Sequence, residues 1–339
     1  MKDPFAQNEV KIAVIGGGTG SFTMLSALKK YTSQIAAIVS MADDGGSTGV
    51  LRDELGALPP GDVRQCLVAL SDSPKVRELF QYRFDTGTFE GHSFGNVLLS
   101  ALEKITGDFS QAVETASEIL RIRGTVIPAT LDNIRLKMEW PDKSLVLHGE
   151  RVIDAEYFKH DPRRAELSLT PNAHPNPMAV AAIEQADIVV IAPGDLYTSL
   201  GPLLVIDGIG EALERTQAKI IYVSNLVSKR GQTDGFTVSD HASEIERFAG
   251  DRQILNYVLY NQEAPSEQVA KRYEEEGGYI TLADVDKLMG QHYEAVGGDF
   301  LGQMATINSA DTLIAKRSLI RHDAKAVAKL ILDLHRREN

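Results

Sequence analysis

The 339-residue chain is poor in several things at once: one cysteine, one tryptophan, aromatics at 6%, and fewer basic than acidic residues, 35 against 47. Each scarcity excludes something. A lone Cys66 cannot close an intrachain disulfide or build a cysteine metal cage, and it fits a reducing cytoplasm. A net charge of -12 argues against a general nucleic-acid surface or an anionic-membrane surface, since both need a basic patch. It leaves room for a local anion site built from backbone N–H groups. No apolar run approaches the roughly 20 residues that span a bilayer. The opening residues, MKDPFAQNEVKIAVIGGG, show no basic–apolar–small secretory order, so a cytoplasmic protein without membrane insertion is expected. The P-loop pattern G-x-x-x-x-G-K-[ST] is absent, as are His-Glu-x-x-His and Tyr-x-x-x-Lys.

What is present is an alternation of short apolar runs and helical patterns. KIAVI (11–15), IAAIVS (35–40), DIVVIA (187–192), KIIYVS (219–224) and ILNYVL (254–259) read as buried parallel strands. Phe22, Leu25 and Leu28 repeat at helical spacing. So do Val63, Cys66, Leu67 and Leu70, with Asp62 placed as an N-cap. Val97, Leu98, Ala101 and Ile105 form another stripe, and Asp323 caps a pattern of Val327, Leu330, Ile331 and Leu334. The stretch from about 125 to 170 differs: IRLKMEWPDKSLVLHGE alternates around a Pro-Asp-Lys turn, which is hairpin grammar. The expected fold is a Rossmann-like, doubly wound α/β domain over the whole chain, with a β-rich insertion at about 125–170.

In such a sheet, ligands bind outside the carboxyl ends of the strands. Four of those ends carry polar or glycine-rich loops: Gly16-Gly17-Gly18-Thr19-Gly20-Ser21, Asp43-Asp44-Gly45-Gly46-Ser47, Pro193-Gly194-Asp195-Leu196-Tyr197-Thr198-Ser199, and Asn225 followed by SKRGQTDGF. One such loop is an ordinary turn; four together point to a shared crevice. Gly17, Gly18, Thr19 and Gly20 let backbone approach a phosphate at a helix N-terminus, although Ser21 stands where the dinucleotide fingerprint has its last glycine. Bare carboxylates repel phosphate, so Asp43 and Asp44 hold Mg²⁺, accept from ribose or sugar hydroxyls, or cap the helix near Thr48; the three readings stay open. Two stretches match G-x-S-x-G, around Ser47 and Ser93, but neither serine directly follows a core strand, which speaks against a hydrolase elbow. His92, His174 and His322 sit near these loops without forming a metal spacing.

IGGGTGSF, ADDGGSTGVLRDELGALPPGDVRQCLVAL, GHSFGNVLLSAL, PGDLYTS, NLVSKRGQTDGFTVSDH and SLIRHD, in this order, resemble the gluconeogenesis factor family (YvcK-like), which is related to 2-phospho-L-lactate transferase (CofD-like). The resemblance runs over nearly the whole chain. It implies a domain that binds UDP-N-acetylglucosamine or UDP-glucose and acts as a regulator of cell shape and envelope-precursor supply on gluconeogenic carbon sources. It implies that Gly17, Gly18, Thr19, Gly20 and Ser21 meet the diphosphate or nucleotide. Gly45, Gly194, Asp195, Tyr197, Asn225 and Thr233 then line the same crevice, and Arg321 pairs with a phosphate. Asp43 and Asp44 match acidic positions that serve a divalent metal in the transferase relatives. The chain departs from the family pattern at Asp195, where serine is usual, and at Lys229 and Arg230, which make the following loop more basic.

Three functions follow as expectations: a UDP-sugar-binding regulator, an Mg²⁺-dependent transferase using Asp43 and Asp44, and an NAD(P)-binding oxidoreductase suggested only by the glycine loop. A transferase with a flat-ring acceptor needs an aromatic platform, and no aromatic cluster adjoins the glycine loops in sequence. That favours binding over transfer. A homodimer is the expected assembly on general grounds.

Overall fold

In the computed structural model, which describes residues 9–267, 270–271, 278–302 and 321–337, the apolar runs become strands because both sheet faces are covered. The strands are β1 (Ile12–Gly16), β2 (Ile35–Val39), β3 (Thr125–Pro128), β4 (Arg135–Trp140), β5 (Leu145–His148), β6 (Glu166–Thr170), β7 (Ile188–Ile191), β8 (Lys219–Val223), β9 (Tyr257–Asn261) and β10 (Glu294–Gly298). Seven form one parallel sheet in the order β10-β9-β8-β7-β1-β2-β3, and β5-β4-β6 form a small antiparallel sheet. Alternate residues of each buried strand face opposite sides. Ile12, Val14, Ile188 and Val190 join one apolar cluster; Ala13, Ile15, Val189 and Ile191 join the other.

The chain leaves β1 outward through β2 to β3, then returns to place β7 on the other side of β1 and continues outward to β10. Strand order therefore reverses between β1 and β7, and in open α/β sheets the ligand crevice lies outside the carboxyl ends at such a switch point. The helices around it are α1 (Gly18–Leu28), α2 (Gly46–Leu55), α3 (Gly61–Leu70), α4 (Pro74–Gln81), α5 (Phe94–Thr106), α6 (Phe109–Leu120) and α7 (Glu150–Ala155). Further along come α8 (Pro177–Glu184), α9 (Gly201–Leu204), α10 (Ile209–Arg215), α11 (Val238–Phe248), α12 (Val285–Leu288) and α13 (Ala324–Arg336). Asp323 caps α13 through the N–H groups of Lys325 and Ala326, and Val327, Ile331 and Leu334 are buried, as the spacing requires.

Three local expectations change. Asp62 lies inside the first turn of α3, after Pro60 and Gly61, so it does not cap that helix. The stripe on α5 is rotated: Asn96, Leu99 and Ser100 are buried, while Ile105 is 79% exposed, because α5 packs through its N-terminal half. Thr125–Pro128 is the edge strand of the parallel sheet, paired with β2, so the antiparallel insertion begins only after it.

The insertion is wired into the main fold. Leu136, Met138 and Trp140 alternate inward from β4 and join the same apolar cluster as Ile15 and Ile191. Trp140 Nε1 donates to the Asp161 carbonyl at 3.0 Å. Trp140→Ala is expected to cost about 3–5 kcal/mol. In urea denaturation followed by circular dichroism, the loss should shift one common transition. A second transition would mean that the insertion melts by itself.

Candidate functional site

The crevice floor is set by a close approach. Gly20, in the first turn of α1, is pressed against Pro193 after β7: a Cβ there would lie 1.7 Å from the Pro193 carbonyl oxygen. Gly18 opens α1 at φ +60°, a left-handed conformation that glycine adopts without steric cost. Gly17 is the N-cap and supplies no side chain, and the first turn of α1 holds no acidic residue. The first N–H groups of a helix have no acceptor within it, and they attract anions. Beneath them the Ser21 hydroxyl is buried and has no hydrogen-bond partner among the described residues. Asp62 approaches from α3; a Cβ on Gly17 would lie 2.2 Å from its Oδ2.

The other side of the crevice is latched by Asn225, which follows β8. Its Oδ1 accepts from Gly194 N at 3.0 Å, and its Nδ2 donates to Gly194 O at 2.8 Å. Asp195 then starts a wide π-type turn through Leu200. Such turns recur at functional sites. Lys229 Nζ donates to Asp154 Oδ1 at 2.7 Å and to Asp195 Oδ2 at 3.0 Å. Burial alone would lower the Lys229 pKa; Asp195 and Asp154 outweigh it and hold the ammonium above its usual range. Thr233 braces this loop, its Oγ1 accepting from Lys229 N at 2.7 Å, and it is buried rather than at the crevice edge.

The two adjacent aspartates divide their work. Asp44 is buried and committed to the insertion: Oδ1 accepts from Arg151 N at 2.7 Å and Oδ2 from Arg135 Nη1 at 3.1 Å. Arg52 reinforces this joint by donating to Asp43 O at 2.9 Å, Asn133 Oδ1 at 2.7 Å and Ile134 O at 2.6 Å. Asp43 Oδ1 accepts from Gly45 N at 2.9 Å, and burial raises the pKa of Asp43. The expected metal pair is thus divided: Asp44 holds the insertion, and Asp43 holds the start of α2 through Gly45 N and Thr48. Among the described residues, no group of three His, Cys, Asp or Glu is placed to hold a metal ion. Magnesium here would rest on Asp43 and on ligand oxygens, a mode that suits this cation.

Tyr197 is not in the crevice. Its ring packs edge-on against Phe158 and Phe248, and its hydroxyl donates to Glu244 Oε2 at 2.8 Å in the core. It points inward because the π-type turn closes over the insertion. Arg321 lies next to His322, whose Nε2 is 3.0 Å from Ser224 O at the end of β8. The Arg321 Nε is buried with no partner among the described residues. Ser318, Leu319 and Ile320 of the SLIRHD motif fall outside the described residues.

Glu150 and Asp154 were not anticipated. They arrive on α7 of the insertion, a hundred residues from the glycine loops, and no local motif marks them. Glu150 is pushed up to about 9, first by burial and then by the charges of Asp43, Asp154, Asp44 and Asp62. At neutral pH it carries a proton and can donate a hydrogen bond. Also unforeseen is the meeting of the two G-x-S-x-G stretches: Ser47 Oγ lies 3.0 Å from His92 Nδ1, while Ser93 is buried and caps α5 through Asn96 N.

An open parallel sheet with a glycine-lined crevice at its switch point defines the class as a Rossmann-like α/β protein. Residues 12–301 match the family described as 2-phospho-L-lactate transferase CofD, and the chain belongs to that family. Among its relatives, a Nostoc protein bearing the gluconeogenesis-factor name is 42% identical over 326 residues, covering 95% of this chain and 68% of the relative. The gluconeogenesis factor of Bacillus subtilis is 38% identical over 327 residues, covering 96% of this chain and 98% of the relative. A crystal structure of a UPF0052 family member from Bacillus halodurans superposes with a TM-score of 0.86 at 36% identity, covering 96% of this chain and all of that one. No helix among the described residues is long and apolar enough to cross a membrane.

Two outcomes test this geometry. Gly20→Ala forces α1 away from Pro193 and is expected to cost about 1–3 kcal/mol in chemical denaturation, as overpacking does. Glu150 gives a pH dependence. Between its ordinary value of 4.5 and about 9, the folded chain keeps a proton that the unfolded chain has lost. Its contribution to stability therefore falls as pH rises through that window. Glu150→Gln should remove this slope and stabilise the protein by about 1 kcal/mol or more at pH 8, read as the difference between variant and wild-type melts from pH 5 to 9.

Proposed function

We propose that the chain binds a nucleoside-diphosphate sugar, UDP-N-acetylglucosamine or UDP-glucose, in the β1/β7 crevice. In this reading it acts as a ligand-responsive gluconeogenesis factor supporting cell shape and envelope-precursor supply on gluconeogenic carbon sources. The observation that carries the reading is the α1 N-terminus at the switch point, where Gly17 supplies no side-chain cap, Gly18 leaves open space beside the first N–H groups, and the Ser21 hydroxyl below has no partner among the described residues. That arrangement suits a diphosphate. Asp43, Asp195 and protonated Glu150 suit hydroxyl groups, which a sugar and a ribose present in number. In this reading Arg321, whose buried Nε has no partner among the described residues, meets a phosphate from the β8 side. The relatives' shared name, gluconeogenesis factor, supports the gluconeogenic part of the reading.

A second reading is an Mg²⁺-dependent transferase of the 2-phospho-L-lactate type. The family match and the Asp43 carboxylate favour it. Metal bound on Asp43 would offset charge on the phosphates, and the backbone of α1 would position them.

Titration calorimetry with UDP-N-acetylglucosamine, with and without Mg²⁺, separates the two. The regulator reading expects binding without metal, intact ligand afterwards, and survival of binding in Asp43→Asn. It also expects Arg321→Ala to weaken binding about tenfold or more, the loss of a charged hydrogen bond. Binding that requires Mg²⁺ and disappears in Asp43→Asn would favour the transferase reading instead and call for a search for its acceptor. Absence of binding to any UDP compound would overturn the regulator reading and turn the search to the transferase's own nucleotide and acceptor.

A further inference from the structure

The segment between α4 and α5 carries an unexplained exposed aromatic cluster. Phe94 N donates to Tyr82 O at 2.8 Å and Phe84 N to His92 O at 3.0 Å, which pairs 82–84 with 92–94 as a short hairpin. In that register Tyr82, Phe84, His92 and Phe94 share one face. The Tyr82 and Phe84 rings meet edge-on at 5.2 Å, and Phe84 and Phe89 lie 5.4 Å apart. Tyr82 is 51% exposed and Phe89 52% exposed, so the cluster offers ring surface to solvent. Exposed contiguous aromatics of this kind mark interaction sites. Through His92 they form, beside Ser47, the aromatic platform that the order of residues did not show near the glycine loops, which removes that argument against a flat-ring acceptor.

The same hairpin is tied to the crevice through His92. Arg64, buried on α3, donates from Nε to Asn96 Oδ1 at 2.7 Å. This orients Asn96 so that its Nδ2 reaches Ser47 Oγ at 3.3 Å, and Ser47 Oγ in turn lies 3.0 Å from His92 Nδ1. Ser47 stands in the first turn of α2, three residues beyond Asp44, which ties this polar triad to the loop that follows β2. None of the three carries a fixed charge. Asn96 is buried with its amide spent on Arg64 and Ser47, which fixes the direction of Ser47 and His92, the pair left to read a planar polar edge.

Position decides what that edge belongs to. In open α/β sheets a diphosphate sits on the first glycine turn, and an acid after β2 takes the ribose hydroxyls. The order here is Gly17–Gly20, then Asp43, then Ser47, His92 and the aromatic rings. We propose that the hairpin at 82–94 is the nucleobase subsite: Tyr82, Phe84 and Phe89 stack the base, and Ser47 and His92, positioned by the buried Asn96, read its edge. The inference rests on the nucleotide reading above and adds which part of the chain chooses the base. Stacking on aromatic rings tolerates any base, so selectivity falls to Ser47 and His92.

The test uses UDP, ADP, UDP-N-acetylglucosamine and inorganic pyrophosphate against the full chain. Tyr82 and Phe89 are exposed, so Tyr82→Ala/Phe89→Ala is expected to fold normally. It should weaken UDP binding about tenfold or more, with pyrophosphate binding unchanged. Ser47→Ala should narrow the preference for UDP over ADP. A Tyr82→Trp variant gives an independent readout: UDP should quench its exposed indole, and pyrophosphate should not. A loss confined to UDP-N-acetylglucosamine, with UDP unaffected, would put the sugar on the rings and overturn the proposal. So would unchanged UDP affinity in the double variant together with no quenching. If wild type binds neither UDP nor pyrophosphate, the nucleotide reading itself has failed, and this proposal falls with it.

Discussion

The structure depends on the contact between Gly20 and the Pro193 carbonyl. It brings the start of α1 against the end of β7 at the point where strand order reverses, so it sets how the two halves of the sheet meet. Any side chain at position 20 would fill the space that the contact requires. Asn225 extends the joint to β8 by bonding both the N–H and the carbonyl of Gly194. The crevice floor is therefore backbone held by backbone and one amide side chain. Its donors are pre-aimed rather than recruited on binding, and preorganised donors lose little entropy when a ligand arrives.

Around that floor the charges are managed pairwise. Lys229 is shared between Asp154 and Asp195, and Glu150 keeps its proton at neutral pH because burial and four acidic neighbours oppose ionisation. An acid-rich crevice could otherwise not approach a diphosphate. With Lys229 offsetting one charge of its two carboxylate partners and Glu150 uncharged, less negative charge opposes a ligand at the positive end of α1, where Asp62 still stands against Gly17. The insertion makes this possible. It delivers Glu150 and Asp154 on α7 and is clamped by Asp44 and Arg52, so a β-sheet remote in sequence becomes one wall of the site.

Much of this was legible in the residues. Continuous apolar runs announced parallel strands, and the glycine loops at their ends announced a crevice, because period and turn chemistry are local properties. Asp323 capped its helix as read, through a local bond. Asp62 and Tyr197 went elsewhere for reasons that are not local. Asp62 leans on Gly17 from another helix, and Tyr197 turns inward to Glu244, 47 residues away. The Asp43–Asp44 pair looked like one unit, yet adjacent side chains at a strand end point to different neighbours. Asp44 found the insertion.

The amino-acid order by itself determined the strands, the helices, the uncapped glycine turn after β1 and the family to which the chain belongs, since each follows from periodicity, backbone freedom or motif order. Only the tertiary structure decided which carboxylates stand in the crevice and which hold the fold together. It alone brought Glu150 into that acidic group, and Ser47 from one glycine motif to the histidine of another. Those outcomes rest on contacts between segments far apart in the chain, and on burial that shifts protonation. No window of sequence contains either.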